Sequence, residues 1–412
     1  MPALLRRGAQ AERGAPVTPP PLFLLQLCNA LISVGSILAL MLATVRLTAW
    51  EWSAWEIGLV TTVANLCYGG LVFIGGRLAD HWGRARSGIL GAGIGLCGSI
   101  TAILVPGATG AVAAAMCGMA GAAMFFPGSA GLFSDAASAA GGPPPALHRK
   151  IRRYNLGWAA GNLASFIGFG LLAGAPRELA YGIAAVSFIA VAMSLWRWRN
   201  LPPLPPAPSG DRSPHPALPR LTVMYRVNLF VGCIIGMALM TQLPKGFDAS
   251  VTVEQATRLA SAALSGYASC YILMFMLLGQ WTGWVLKPQV LWLCQAGFLF
   301  GSAGLLALAS WGEFPLLAVA ACGGLIGSGY GAAYVGSIYY SLRLPTGVGR
   351  AAGWHETFIG MGNTMGPLLA GLFMSFVCRG ITGLAIFLLI AAVAMTLIQA
   401  LMIPGARRLG AK

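Results

Sequence analysis

Twelve apolar windows, each long enough to cross a membrane as a helix, recur along this chain of 412 residues and restrict its fold more than any other feature. A bilayer core of about 30 Å requires about 20 apolar residues per helical span, and a backbone inside lipid must satisfy its own hydrogen bonds. The sequence therefore predicts an all-α integral membrane protein. The windows cover residues 22–45, 57–76, 87–105, 111–133, 154–174, 179–198, 222–243, 255–278, 288–310, 314–341, 354–377 and 382–403.

The basic residues are distributed unequally between the two sets of connecting segments. An even number of spans puts both termini on one side, and 21 of the 26 Lys and Arg residues then fall on that side and five on the other. Basic residues gather in cytoplasmic loops. We therefore predict a multi-pass protein of the cytoplasmic (inner) membrane with both termini in the cytoplasm. This bias also accounts for the formal charge of +15, so no nucleic-acid partner is expected.

A proline-rich polar segment divides the spans six from six, and the two halves carry related sequences. Proline at this density does not continue a helix, and the stretch NLGWAAGN recurs 201 positions later as ETFIGMGN. A duplicated unit of six helices places a binding site between the halves, near the middle of the membrane. The predicted regions are a cytoplasmic tail at 1–20, a six-helix bundle at 21–196, a cytoplasmic linker at 197–220, a second six-helix bundle at 221–403 and a cytoplasmic tail at 404–412.

The loop between the second and third windows concentrates charge in a chain of which only 9% is charged. It reads GGRLADHWGRAR from Gly75 to Arg86. A glycine at the end of a span lets a neighbouring helix approach closely. An aspartate at a helix end accepts hydrogen bonds from the free N–H groups that start another helix. We interpret this loop as part of a gate, and the alternative is that its arginines only set the topology and contact lipid phosphate.

This loop closely resembles the signature loop of the major facilitator superfamily, G-x-x-x-D-(R/K)-x-G-R-(R/K). Two basic positions of that pattern are replaced, by His81 and Ala85, with Arg86 following the second. Twelve spans, the repeat, the central linker and the fourth-window ending FFPGSAGLFSD, at Asp135, extend the resemblance over the chain. The resemblance implies the major facilitator fold, two pseudo-symmetric bundles of six transmembrane helices. The matching residues of the loop are Gly76, Asp80, Gly83 and Arg84.

In this family the eleventh helix receives the loop aspartate. The resemblance therefore implies that Asp80 lies beside Arg350 to Gly353 when the cytoplasmic side is closed, with Arg84 as its salt-bridge neighbour. The second half has Gly283 where Asp80 would map, so the gate is predicted to be asymmetric between the two halves. The predicted gating residues are Gly76, Asp80, Gly83, Arg84, Arg86, Asp135, Arg350 and Glu356.

Polar residues fall on one helical face in several windows, which indicates a polar interior surface. From a start near Arg153, Asn162 lies about 13 Å deep at 1.5 Å per residue, close to mid-membrane. The alternative for each asparagine is a hydrogen bond between helices. We predict a cavity whose substrate-binding residues are Asn29, Asn65, Asn162, Tyr267, Tyr330, Tyr334 and Asn363.

The deep part of the predicted spans carries no charged residue, which argues against a strongly charged substrate held by a salt bridge. The nearest ionisable residues are His355 and Glu356, about one turn inside the eleventh window. They are candidates for proton coupling. The alternative is that they cap the eleventh helix and close the gate with Arg350.

These expectations favour a secondary transporter that moves a small neutral or weakly charged organic solute by alternating access, with coupling ion and direction left open. The chain has no P-loop pattern and no paired catalytic groups at depth, so neither ATP-driven transport nor an enzyme is expected. The alternative is a transporter-like scaffold for a membrane complex. No cofactor or metal is predicted; the expected partners are the substrate, membrane lipids and, if transport is coupled, protons, and the chain is expected to be a monomer.

Overall fold

The computed structural model describes residues 19–139, 147–201, 216–248, 250–344 and 348–410, and within these residues the chain forms twelve α-helices and no strand. Each predicted window overlaps one helix, so the predicted all-α fold is confirmed. The helices are α1 (Leu22–Ala49), α2 (Ala54–His81), α3 (Arg84–Leu104), α4 (Ala108–Ala139), α5 (Leu147–Leu171), α6 (Arg177–Trp196), α7 (Leu218–Asp248), α8 (Val253–Leu278), α9 (Val290–Trp311), α10 (Leu316–Arg343), α11 (Val348–Phe376) and α12 (Gly380–Gly410).

Ten of the twelve helices are long and apolar enough to cross a membrane, judged by the length and composition of their described residues. The other two are α5 and α11. The first turns of α5 carry four basic residues, and α11 carries His355, Glu356 and Asn363. The basic residues of α5 lie at its start, and Arg149, Lys150 and Arg153 are exposed. Because a lipid-facing surface penalises polar groups, the polar residues further along α5 and α11 require an internal environment.

The same helix packing occurs in both halves of the chain. In the first half α1 packs on α4, α5 and α6, α4 packs also on α2 and α3, and α3 packs on α6; the helices six places later form the same pairs. Equivalent helices also begin alike, since reciprocal capping boxes start α2 at Ser53 and Glu56 and start α8 at Thr252 and Gln255. The fold is therefore two pseudo-symmetric six-helix bundles. The boundary at 197–220 stays a prediction, because most of that segment and residues 1–18, 411 and 412 lie outside the described residues.

The two halves meet chiefly along α2 against α11 and α5 against α8, pairs that the internal symmetry relates. We call the end of the molecule that holds the loop Gly75–Arg86 the basic end and the other the opposite end. At the opposite end the Thr62 hydroxyl donates to the Thr364 carbonyl at 2.8 Å, and the Trp55 N–H donates to the Ser375 hydroxyl at 3.0 Å. The side-chain amide of Gln242, from α7, donates to the carbonyls of Ala54 and Pro367 at the same end. These bonds close the opposite end between α2 and α11.

The basic-end portions of α2 and α11 lack equally close neighbours. A Cβ atom added at Gly69, Gly70, Gly353 or Gly360 would have no heavy atom outside its own turn within 4 Å. The α5 and α8 pair differs, because Gly279 lies against the Arg152 side chain at the basic end. In this conformation the molecule is thus closed at the opposite end and has room between α2 and α11 at the basic end.

We predict that Gly58→Ala lowers the thermal unfolding temperature of the purified protein. A Cβ atom at Gly58 would lie 2.5 Å from the Pro367 carbonyl oxygen, so α2 and α11 must move apart. The matched control is Gly69→Ala on the same helix, which faces open space and gains about 1 kcal/mol of helix propensity. The measurement is a melting curve in detergent. Equal melting temperatures for the two variants would contradict this account of the contact.

Candidate functional site

A cavity of about 350 Å³ lies between the two halves. Its walls come from α1, α2, α4 and α5 of the first half and from α7, α8, α10 and α11 of the second. The described residues of α3, α6, α9 and α12 contribute nothing to its wall. A volume of this size lies within the range of small-molecule sites, which is about 300–1,000 Å³.

Six of the seven predicted substrate-binding residues line this cavity. They are Asn65, Asn162, Tyr267, Tyr330, Tyr334 and Asn363. Asn29 is the exception, and its prediction as a lining residue is wrong for this conformation. The Asn29 side chain is fully buried between α1 and α4, where its carbonyl oxygen accepts a hydrogen bond from the Ser129 hydroxyl. Asn29 therefore has the alternative role, a hydrogen bond between helices.

Aromatic rings form much of the cavity wall. Tyr267 and Tyr271 of α8 and Tyr330 and Tyr334 of α10 pack in a continuous group, which we call the tyrosine cage. The ring centroids of Tyr330 lie 5.5 Å from Tyr267, 5.8 Å from Tyr271 and 6.0 Å from Tyr334. Rings at these separations stabilise one another in tilted and edge-to-face arrangements. The cage therefore presents a rigid wall that combines apolar faces with hydroxyl groups.

Trp158 extends the tyrosine cage from the first half of the chain. Its ring lies 5.8 Å from Tyr271 and 5.4 Å from Tyr334, and its indole N–H donates to the Asn155 side-chain oxygen at 3.2 Å. Asn155 is fully buried and does not line the cavity, so it positions the indole. Sequence reasoning missed Trp158, although its spacing of three and four residues from Asn155 and Asn162 placed it on the same helical face.

Glu356 lies on the cavity wall, and it is further from the start of its helix than the sequence indicated. The eleventh helix begins at Val348, six residues before the predicted window, so Glu356 is about 12 Å from the start of the helix at 1.5 Å per residue. Its neighbour His355 is fully buried, shares a 2.9 Å hydrogen bond with the Ser337 hydroxyl and packs its ring on Tyr334. His355 thus joins α10 to α11, and Glu356 is the member of the pair that reaches the cavity.

The loop between α2 and α3 is fastened within the first half of the chain. Gly83 has a φ of 115°, a conformation that favours glycine, and α3 starts at the next residue. Arg84 forms a salt bridge with Asp135 of α4 and donates to the Gly131 carbonyl at 3.0 Å. Arg86 donates to the Arg199 carbonyl at 2.8 Å and to the Asn200 side chain at 2.9 Å. The loop therefore ties α3 to α4 and to the end of α6.

In this conformation Arg84 is paired with Asp135. Its pairing with Asp80 was expected for the closed basic end and stays a prediction. Asp80 is exposed and enters none of the four ion pairs among the described side chains. Gly76 lies near Pro127 of α4. The side chain of Arg350 lies outside the described residues. A contact between Asp80 and the start of α11 requires the basic end to close and stays a prediction.

The equivalent loop of the second half is held by aromatic packing in place of an ion pair. Trp284 is fully buried, donates from its indole N–H to the Leu278 carbonyl at 3.1 Å and packs on Tyr225, Tyr339 and Tyr340. The Tyr340 hydroxyl accepts from the Leu286 N–H at 2.7 Å. The two loops thus share a position in the fold and differ in how they are held.

A bundle of membrane-spanning helices in two related halves, with a central cavity between them, defines the class of membrane transporters. The sequence matches the Major Facilitator Superfamily over residues 22–345. The chain belongs to this superfamily. It is accordingly a multi-pass transporter-family protein in a lipid environment, with a small-molecule substrate, and not an enzyme.

Solved structures of other transporters share the fold. A bacterial homologue of the human lysosomal transporter Spinster, in an inward-facing and occupied conformation, superposes with a TM-score of 0.67 at 16% identity, over 94% of this chain and 96% of that one. The structure of the nucleoside transporter NupG superposes with a TM-score of 0.61 at 13% identity, over 92% of this chain and 98% of that one. The structure of a mutant of the peptide transporter POT superposes with a TM-score of 0.68 at 14% identity, over 97% of this chain and 96% of that one. At these identities the likeness shows the fold alone. No curated protein sequence matches the chain.

The pair of Arg84 and Asp135 offers a test of how the loop is held. We predict that Asp135→Asn lowers the free energy of unfolding by about 1–3 kcal/mol, since it leaves a largely buried guanidinium without its charge partner. Glu178→Gln, which removes the exposed partner of Arg177, is the control and should leave the melting temperature close to that of the native protein. Thermal melting of the purified variants measures both. A shift no larger for Asp135→Asn than for the control would refute the structural role of the pair.

Proposed function

We propose that this protein is a secondary transporter that moves a small neutral or weakly charged organic solute across the cytoplasmic membrane by alternating access. The substrate binds in the central cavity against Asn65, Asn162 and Asn363 and the tyrosine cage. The protein works as a monomer with both termini in the cytoplasm, so the basic end faces the cytoplasm. The observation that carries the proposal is one cavity, shared by both halves, with the opposite end closed by contacts between α2 and α11.

The gate follows from the same contacts. The bonds of Thr62 with Thr364 and of Trp55 with Ser375 must break for the opposite end to open. Closure of the basic end then brings Asp80 towards the start of α11, near Arg350 and Gly353. The loop around Gly76, Gly83, Arg84 and Arg86, with Asp135, moves as one body with the first half because its bonds stay within that half. Alternating access thus becomes a rocking of two rigid halves about the cavity.

Proton coupling through Glu356 is part of this proposal. An ionisable residue within a membrane span that faces the central cavity is the usual device of a proton relay. Glu356 has that position, whereas His355 is engaged by Ser337 and Tyr334. We therefore assign the coupling to Glu356 alone.

Cross-linking the closed opposite end tests alternating access. Solutes are first screened for an increase in thermal stability, which reaches about 2.7 kcal/mol at 100 times the dissociation constant. The double variant Trp55→Cys with Ser375→Cys is then reconstituted in liposomes. We predict that oxidation blocks uptake of the selected solute and that a reducing agent restores it, because the bond fixes α2 to α11. Each single variant controls for the native cysteines. Undiminished uptake after complete cross-linking, or no stabilising solute at all, would reject transport and leave the scaffold alternative.

A flux experiment tests the coupling residue. We predict that a pH gradient changes the initial rate of uptake in the native protein and that Glu356→Gln makes this rate independent of the gradient, since an amide carries no proton. Proteoliposomes with and without the gradient supply the measurement, and Glu313→Gln, an exposed position outside the cavity, is the control. An unchanged response to the gradient in Glu356→Gln would remove proton coupling from the proposal while leaving transport intact.

A further inference from the structure

Among the described side chains, the carboxyl group of Glu356 has no cationic partner. It faces the central cavity, and it enters none of the four ion pairs formed by the described side chains. No Lys, Arg or His belongs to the described residues that line this cavity. A carboxylate withdrawn from bulk water is costly unless it is paired. The described wall of the cavity thus carries one carboxyl group, able to bear a negative charge, and no basic side chain to pair with it.

Aromatic side chains from three helices line the same cavity as Glu356. They are Tyr68 of α2, Tyr154 of α5 and Tyr334 of α10. Tyr334 is also part of the tyrosine cage, so the cavity that holds Glu356 has a largely aromatic wall. The faces of such rings attract cations, and several rings around one position recognise ammonium groups.

We infer that the central cavity binds an organic monocation, an amine or quaternary ammonium with an aromatic or apolar body. The cationic group lies beside Glu356 and Tyr334, and the body packs on the tyrosine cage and Trp158. This inference rests on the proposed function and narrows its range of solutes to singly charged cations. Anions and zwitterions are disfavoured, because the described wall offers no cation to a carboxylate, phosphate or sulfonate.

Two pairs of probes matched in shape and opposite in charge test the inference. They are benzyltrimethylammonium against phenylmethanesulfonate, and tetraphenylphosphonium against tetraphenylborate. The full-length protein is purified in detergent, and binding is measured by calorimetry and by the shift in melting temperature. We expect saturable binding of at least one of the two cations and none of its matched anion. Binding of an anion with equal or higher affinity, or saturable binding of neither cation, would overturn the inference.

Variants separate recognition of charge from a general effect on folding. Glu356→Gln should weaken binding of the cation about ten-fold or more, because it removes the charged partner. The control Glu313→Gln should bind as the native protein does. The inference is supported if Glu356→Gln melts at the native temperature and binds the cation more weakly. It is overturned if this variant binds the cation with native affinity.

A second position tests the role of the rings. Tyr334→Phe keeps an aromatic face beside the cationic group and should keep the affinity within about two-fold, whereas Tyr334→Leu should lose about three-fold or more. Equal affinities for the two variants would show that the wall acts only as apolar surface and would overturn the assignment to cations. Failure of the inference is distinct from failure of the proposed function. If a neutral solute is transported and the cross-link between residues 55 and 375 blocks that transport, the proposed transport function is supported and the assignment to cations is rejected.

Discussion

The cost of exposing polar groups to lipid is the constraint on which the rest of this structure depends. That cost falls on α5 and α11, the helices that carry Asn155, Asn162, Glu356 and Asn363. Three of these side chains line the central cavity, and the fourth holds the ring of Trp158. Because the two polar helices come from different halves of the chain, their polar faces can share one interior only if that interior lies between the halves. The position of the cavity thus follows from where the sequence places these amides and the carboxyl group of Glu356.

The two halves preserve a common packing and differ where chemistry is concentrated. Asn155 and Glu356 occupy equivalent positions, yet the first is a buried hydrogen-bond acceptor and the second an ionisable carboxyl group on the cavity wall. The loops between the second and third helices of each half diverge likewise, one held by Arg84 and Asp135 and the other by the rings around Trp284. The shared packing sets the arrangement of the helices in both halves. The residues that differ between the halves make the two sides of the cavity chemically unequal, which an exact duplication would not do.

The fold could be predicted from the sequence because the requirement for about 20 apolar residues per span is strong and local. The cavity-lining residues Asn65, Asn162 and Asn363 could be predicted because helical spacing shows which side chains share a face. Asn29 shares such a face, but its partner Ser129 lies 100 residues away and no spacing reveals it. The bond of Arg84 to Asp135, 51 residues along the chain, was hidden for the same reason.

The depth of Glu356 was underestimated for a different reason. Polar and charged residues near the start of α11 lower its hydropathy, so an apolar window begins later than the helix does. Hydropathy shows where a segment becomes apolar, whereas backbone hydrogen bonding determines where the helix begins. At Val348 these two boundaries are six residues apart, which is nearly two turns.

Gln242 joins three helices with one amide group. Its nitrogen donates to the Ala54 carbonyl of α2 at 3.1 Å and to the Pro367 carbonyl of α11 at 3.2 Å, and the side chain itself belongs to α7. The two N–H groups of this nitrogen serve one acceptor in each half of the chain. When the halves part, the bond to Ala54 breaks while the bond to Pro367 stays within the second half, so opening releases one N–H group at the end of the cavity that becomes accessible.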